Sequence, residues 1–140
     1  MSAVAAVFVL RDDGAALLQH RDDMPGLRDA GKWVPPGGHL DSDESREACA
    51  RRELREETAY DARVLYLLSS FLDTHNTDWP PYELTVFWTR YDGVQPVRCL
   101  EGQALEFIRR EDAAHYDVPE YLVHEWDAAI AALANQSETR

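Results

Sequence analysis

Two cysteines, Cys49 and Cys99, are too few for a disulfide framework and do not make a zinc site. Basic residues are also scarce. Lys and Arg number 14 against 26 Asp and Glu, a formal net charge of -12, which argues against broad attraction to a nucleic-acid polymer or an anionic membrane. The same field repels an anionic small substrate, so one that binds needs a metal bridge or a few focused arginines. Long apolar runs are missing too: Ala3 to Leu10 is an apolar stretch of eight residues with no basic segment ahead of it, too short to span a bilayer. A cytoplasmic protein is the expectation. There is no internal repeat, low-complexity tract or dividing linker. The 140 residues therefore fit one domain, residues 1–140, with residues 137–140 frayed.

What is present reads as a mixed α/β domain. Ala3 to Leu10 and Ala15 to Gln19 are strand candidates around an Asp12-Asp13-Gly14 turn. Further strands are expected over Val64 to Leu72, Glu83 to Tyr91 and Leu105 to Ile108, with a short helical turn at Arg109 to Ala114. A last helix starts near Pro119-Glu120, where the proline suits a first turn. Its Leu122, Trp126, Ile130 and Leu133 recur at helical spacing and cover one face of the sheet.

The stretch that organises the chain runs from Gly37 to Tyr60. Trp33-Val34-Pro35-Pro36 leads stiffly into Gly37-Gly38, where glycine allows unusual dihedrals or a close backbone approach. Asp41, Ser42 and Asp43 are N-capping candidates, and Glu44 sits where a helix dipole favours a carboxylate. The helix is expected to run to about Glu57, with Ala48, Cys49 and Leu54 meeting the sheet; Cys49 reads as a packing thiol. Glu53, Glu56 and Glu57 then share one helical face. Carboxylates this close repel one another. Arg52 and Arg55 project beside that face, which leaves the three acids free to converge on a hard divalent ion such as Mg2+.

Written as a pattern, this is Gly38, five residues, Glu44, seven residues, then Arg52-Glu53-Leu54-Arg55-Glu56-Glu57-Thr58-Ala59-Tyr60. It resembles the Nudix box, the signature of metal-dependent pyrophosphohydrolases. Ala59 stands where the family usually has glycine, and Tyr60 takes the following aliphatic place. The resemblance implies an α/β/α sandwich around a mixed sheet, with Mg2+ as cofactor and Mn2+ as substitute. It implies metal ligands at Glu53, Glu56, Glu57 and the Gly37 carbonyl, and a supporting role for Gly38 and Glu44. Arg52 is assigned to hold a carboxylate or the turn by a forked pair.

Outside the box, Glu101-Gly102-Gln103 is similar to the same region of MutT-type nucleoside triphosphate pyrophosphatases, which implies Glu101 as a metal ligand or base. Glu53 and Glu101 are the leading base candidates, with Glu56 and Glu57 behind them. Arg21, after the second strand, matches a family position that meets phosphate. The irregular loop Asp73 to Tyr82 offers His75, Asn76, Trp79 and Tyr82 as a wall for a base or leaving group. Glu120 falls where MutT-type enzymes place an asparagine that reads oxidised guanine, which counts against that substrate. The expected reaction is hydrolysis of a (deoxy)nucleoside triphosphate to monophosphate and pyrophosphate. Nucleotide sugars or related diphosphates are the alternative substrates, and a non-catalytic nucleotide sensor is the alternative function. A homodimer is the family-based expectation.

Overall fold

The structure, a computed structural model, describes residues 2–75 and 78–138. Its centre is β1 (Ala3–Leu10), followed by β2 (Ala16–His20), β3 (Trp33–Val34), β4 (Gly37–His39), helix α1 (Arg46–Thr58), β5 (Tyr66–Asp73), β6 (Tyr82–Arg90), β7 (Ala104–Ile108) and helix α2 (Glu120–Glu138). A 3-10 turn at Arg110–His115 precedes α2. β1 runs parallel to β6 in register from Ala3↔Glu83 to Leu10↔Arg90, and antiparallel to β2 and β4. β2 also pairs with β3 and β7, and β5 pairs with β6 at the edge, so the sheet is mixed.

The period-two pattern of β1 explains the layering. Ala6, Phe8 and Leu10 point into a core shared with Trp126, Ala129 and Leu133 of α2. Ala5, Val7 and Val9 point the other way, into a core shared with Cys49, Ala50 and Leu54 of α1. A strand covered on both faces reads as a continuous apolar run, as this one does. Among the described residues no helix is long and apolar enough to cross a membrane.

Three details differ from the sequence reading. The N-cap of α1 is Ser45, whose Oγ accepts the Ala48 N–H at 3.1 Å, rather than any of Asp41, Ser42 and Asp43. Those residues form a turn in which the Asp41 N–H donates to Glu44 Oε1 at 2.9 Å and Asp43 takes φ 67°, so the helix cannot yet begin. Within the helix, Ala48 faces away from the sheet and is exposed, while Cys49, Ala50, Leu54, Glu57 and Thr58 are buried. At the other end of the chain, α2 continues to Glu138, so the backbone is helical where fraying was expected; residues 139 and 140 lie outside the described residues.

Ala59 closes α1 in the left-handed conformation, φ 67° and ψ 3°, with its N–H on the Arg55 carbonyl at 2.9 Å. An alanine is therefore held in a conformation that favours glycine. Ala59→Gly is expected to stabilise the fold by about 1 kcal/mol, raising Tm by about 3 °C, read in a thermal melt. An unchanged or lower Tm would mean the strain is relieved elsewhere.

Candidate active site

Strand β4 is made of residues whose neighbours leave no room for a side chain. A Cβ on Gly37 would lie 2.8 Å from the Ala6 Cα, and one on Gly38 would lie 2.6 and 2.7 Å from the two carboxylate oxygens of Glu53. The glycines thus let β4 lie against β1 on one side and α1 on the other. Cys49 Sγ donates to the Gly38 carbonyl at 3.4 Å, and burial pushes this thiol up to about 11, so it packs as a neutral group. Gly38→Ala is expected to move the Glu53 carboxylate by about an ångström and lower kcat/KM about 100-fold. Steady-state kinetics beside a circular dichroism spectrum reads this; an active variant would show that the contact is slack.

Glu57 is buried beneath this loop. Gln19 Nε2 donates to its Oε1 at 3.0 Å and the Gly37 N–H to its Oε2 at 3.2 Å. Burial first, then a hydrogen bond with Glu53 and the negative charges of Glu101 and Glu53, push its carboxyl up to about 9. Glu53 lines a cleft of about 510 Å3 together with Gly37, Gly38 and Glu101. Glu56 is different: its side chain is largely exposed and does not line the cleft.

Arg52 does not stand aside from these acids. It grips Glu44 with a fork, Nε to Oε2 at 2.7 Å and Nη2 to Oε1 at 2.9 Å, and reaches the His39 carbonyl at 3.2 Å. Its Nη1 donates to Glu53 at 2.9 Å and to Glu56 at 3.2 Å. The picture of three acids free of any arginine is therefore corrected, because the helix turn that aligns Glu53 with Glu56 also carries the Arg52 guanidinium between them. Arg52 does not line the cleft; its bonds to Glu44, Glu53 and Glu56 hold those carboxylates in place. Held by the Arg52 fork and the Asp41 N–H, the Glu44 carboxyl falls to about 2.

Glu101 reaches the cleft because the backbone before it is pinned along the end of α1. The Arg98 N–H donates to the Thr58 carbonyl at 2.8 Å and the Leu100 N–H to the Glu57 carbonyl at 3.0 Å. Gly102 then turns at φ 81°, and the Gln103 N–H meets the His20 carbonyl at 2.8 Å.

Part of the cleft wall is aromatic. Arg21, Trp79 and Tyr82 line it as sequence reading proposed, but Arg28, Asp29 and Tyr121 line it too, and none of these three was singled out. Arg28 lies over the Tyr82 ring at 3.7 Å and near Trp79 at 5.6 Å. Asp73 anchors this wall from inside, accepting the Tyr82 hydroxyl and the His75 N–H, the latter at 2.9 Å. Burial alone would raise its carboxyl, but the Tyr82 and His75 hydrogen bonds outweigh it and bring the group below its ordinary value. His75 stacks on Tyr121 and, with Glu120, borders a neighbouring cleft instead of the first. Asn76 lies outside the described residues. Loop residue Arg28 and helix residue Tyr121 carry no local spacing signal, so only tertiary structure brings them together.

A mixed sheet between two helices, with a glycine turn and a glutamate-bearing helix opening on one cleft, defines an α/β/α domain built around an acidic ligand site. The chain belongs to the Nudix family: the NUDIX domain profile matches residues 1–130. It is 29% identical over 119 residues to the nucleoside triphosphatase NudI of Escherichia coli, covering 79% of this chain and 84% of that protein. Two solved structures share the fold. MutT, from a study of the Aliivibrio salmonicida and Vibrio cholerae proteins, has a TM-score of 0.73 at 24% identity, covering 94% of this chain and 98% of that one. The NUDIX domain of Shewanella oneidensis NrtR, complexed with ADP ribose, has a TM-score of 0.78 at 18% identity, covering 94% and 87%. In three other curated relatives the matched stretch is only 21%, 40% and 36% of their length.

Among the described residues, no three His, Cys, Asp or Glu side chains stand ready-formed around one metal position. The chemistry of the donor set nevertheless fits a hard cation. Glu57 is raised first by burial and then by its hydrogen bond to Glu53 and the charges of Glu101 and Glu53; the repulsive part is what a divalent ion among oxygen donors relieves.

Proposed function

We propose that this protein is a Mg2+-dependent phosphoanhydride hydrolase acting on a (deoxy)nucleoside triphosphate to give monophosphate and pyrophosphate. The observation that carries this reading is one cleft lined both by carboxylates, Glu53 and Glu101 among them, and by aromatics backed by Arg28, which suits an anionic diphosphate joined to a planar group. Its volume of about 510 Å3 is in the range of small-molecule sites. Residues 1–140 serve as one domain in this reading.

Glu53, Glu57, Glu101 and the Gly37 carbonyl would hold the ion, with Glu56 joining by a side-chain rotation away from Arg52. When bound, Mg2+ or Mn2+ would neutralise phosphate charge and make the attacking water more acidic. Glu53, oriented by Arg52, would take the proton of the water as its oxygen bonds to phosphorus and the P–O bond of the anhydride breaks, pyrophosphate leaving; Glu101 is the other candidate base. Arg21, on the same cleft, holds phosphate oxygens by charge-assisted hydrogen bonds. The relative named nucleoside triphosphatase supports this substrate class.

A nucleoside diphosphate derivative is the second reading. A neighbouring cleft shares Gly26, Leu27, Asp29, Trp79 and Tyr121 with the first, leaving space for a further sugar. Canonical, oxidised and methylated triphosphates, nucleotide sugars, dinucleoside polyphosphates and capped nucleotides, incubated with Mg2+ or Mn2+ and resolved by product mass, separate the two. Pyrophosphate release from a triphosphate is expected. Turnover restricted to sugar nucleotides would reverse the substrate order, and no metal-dependent turnover of any compound would end the hydrolase reading. Light scattering on the same sample reads the expected homodimer.

A further inference from the structure

Arg28 lines the cleft without a hydrogen-bond partner among the described residues. In a chain with 26 acidic residues it donates no hydrogen bond and forms no ion pair among the described residues, and its Nε is buried without a partner. Arg28 is half-buried, and burying one donor without a partner is costly, so the cost falls on this Nε–H while the outer nitrogens stay open to the cleft. The flat group is nevertheless kept in one orientation, over Tyr82 at 3.7 Å and beside Trp79 at 5.6 Å. Tyr82 is in turn fixed by the buried Asp73. A fork immobilised on an aromatic face, bordering a cleft, has the rigidity that selective recognition needs.

We infer that Arg28 is the specificity-determining residue of the cleft, and that it selects nucleobases presenting two adjacent hydrogen-bond acceptors. This rests on the nucleotide reading above. A guanidinium donates two parallel hydrogen bonds, and guanine meets them with N7 and O6. Cytosine offers N3 and O2 in the same side-by-side arrangement. Adenine has no edge with two neighbouring acceptors, and uracil alternates acceptor, donor, acceptor. Asp29, next in the chain and lining the same cleft, supplies an acceptor for the N–H that flanks the acceptor pair in both favoured bases. Its carboxyl takes the Tyr121 hydroxyl at 3.3 Å, which holds it against the aromatic wall.

Calorimetric titration with GMP, CMP, AMP and UMP tests the base site without any turnover. GMP or CMP is expected to bind at least about tenfold more tightly than AMP and UMP. In Arg28→Ala and Arg28→Lys the gap is expected to close to within about twofold, the lysine keeping the charge but not the planar fork. Circular dichroism checks the fold of each variant, and if Arg28→Ala unfolds, Arg28→Lys with Arg28→Gln decides. Equal binding of the four nucleotides by the wild type, no binding of any, or a gap that survives loss of the fork overturns the inference. Hydrolysis of the four triphosphates is measured in parallel. Equal kcat/KM for all four sinks base selection and leaves the hydrolase reading standing, whereas selective binding without hydrolysis does the reverse.

Discussion

Glu53→Gln is expected to lower kcat about 1000-fold while leaving the folded protein intact. The amide keeps the shape of the side chain, and its carbonyl oxygen can still accept the Arg52 hydrogen bond, which spans 2.9 Å to the glutamate. What disappears is a negative charge facing the cleft and the capacity to accept a proton, and general base catalysis alone is worth about 10²–10⁴. Stability should move the other way or not at all, because Glu53 is one of the groups that disfavour a charged Glu57 beneath the glycine loop. The expected result is therefore a large loss of kcat with Tm unchanged or slightly raised, and a KM shifted much less than kcat. A loss below about tenfold, with metal saturating, would remove Glu53 from the chemistry and leave Glu101 as the base to test.

The same separation of stability from chemistry explains which parts of the molecule were legible in the sequence. The Gly37 to Tyr60 stretch reads well because the spacing is local: a helix places Glu53 and Glu57 one turn apart whatever surrounds it. Its start was misread because three of the four residues from Asp41 to Glu44 are acidic, and each looks like a cap or a first-turn acid. Only the structure shows that Arg52 and the Asp41 N–H engage Glu44, leaving Ser45 as the cap. Ala48 lies roughly opposite Ala50 and Glu57 around the helix, which is why Ala50, not Ala48, is buried. The strand order needed more than periodicity, since the parallel pairing of β1 with β6 joins residues about eighty positions apart. Arg28 meets Tyr82 and Trp79 across a loop, a strand end and a second loop, and Tyr121 joins them from a helix. No period or motif links those positions, so the aromatic wall of the cleft is a property of the fold, whereas Glu53 and Glu57 come from one helix.

Trp126→Ala is expected to cost about 3–5 kcal/mol from lost packing, with roughly 1 kcal/mol more for an orphaned backbone acceptor. Trp126 is completely buried at the centre of the core between α2 and the sheet, and its indole N–H donates to the Gly14 carbonyl at 2.9 Å. That bond ties α2 to the turn between β1 and β2, which Gly14 makes at φ 86°. Domains of this kind have about 5–15 kcal/mol in total, so the variant should sit near its unfolding threshold at room temperature. Trp126→Phe refills part of the volume and should lose clearly less, by about half, while leaving the Gly14 carbonyl unpaired. The functional consequence follows from the same helix: Tyr121 and Leu122 in its first turn form part of the cleft wall, whereas the glutamates belong to α1 and the opposite core. Where enough Trp126→Phe remains folded for kinetics, KM should therefore rise more than kcat falls. Urea denaturation followed by far-ultraviolet circular dichroism measures the stability change. A loss under about 1 kcal/mol in Trp126→Ala would mean that the core around α2 collapses into the space, and that this helix is held to the sheet by other contacts.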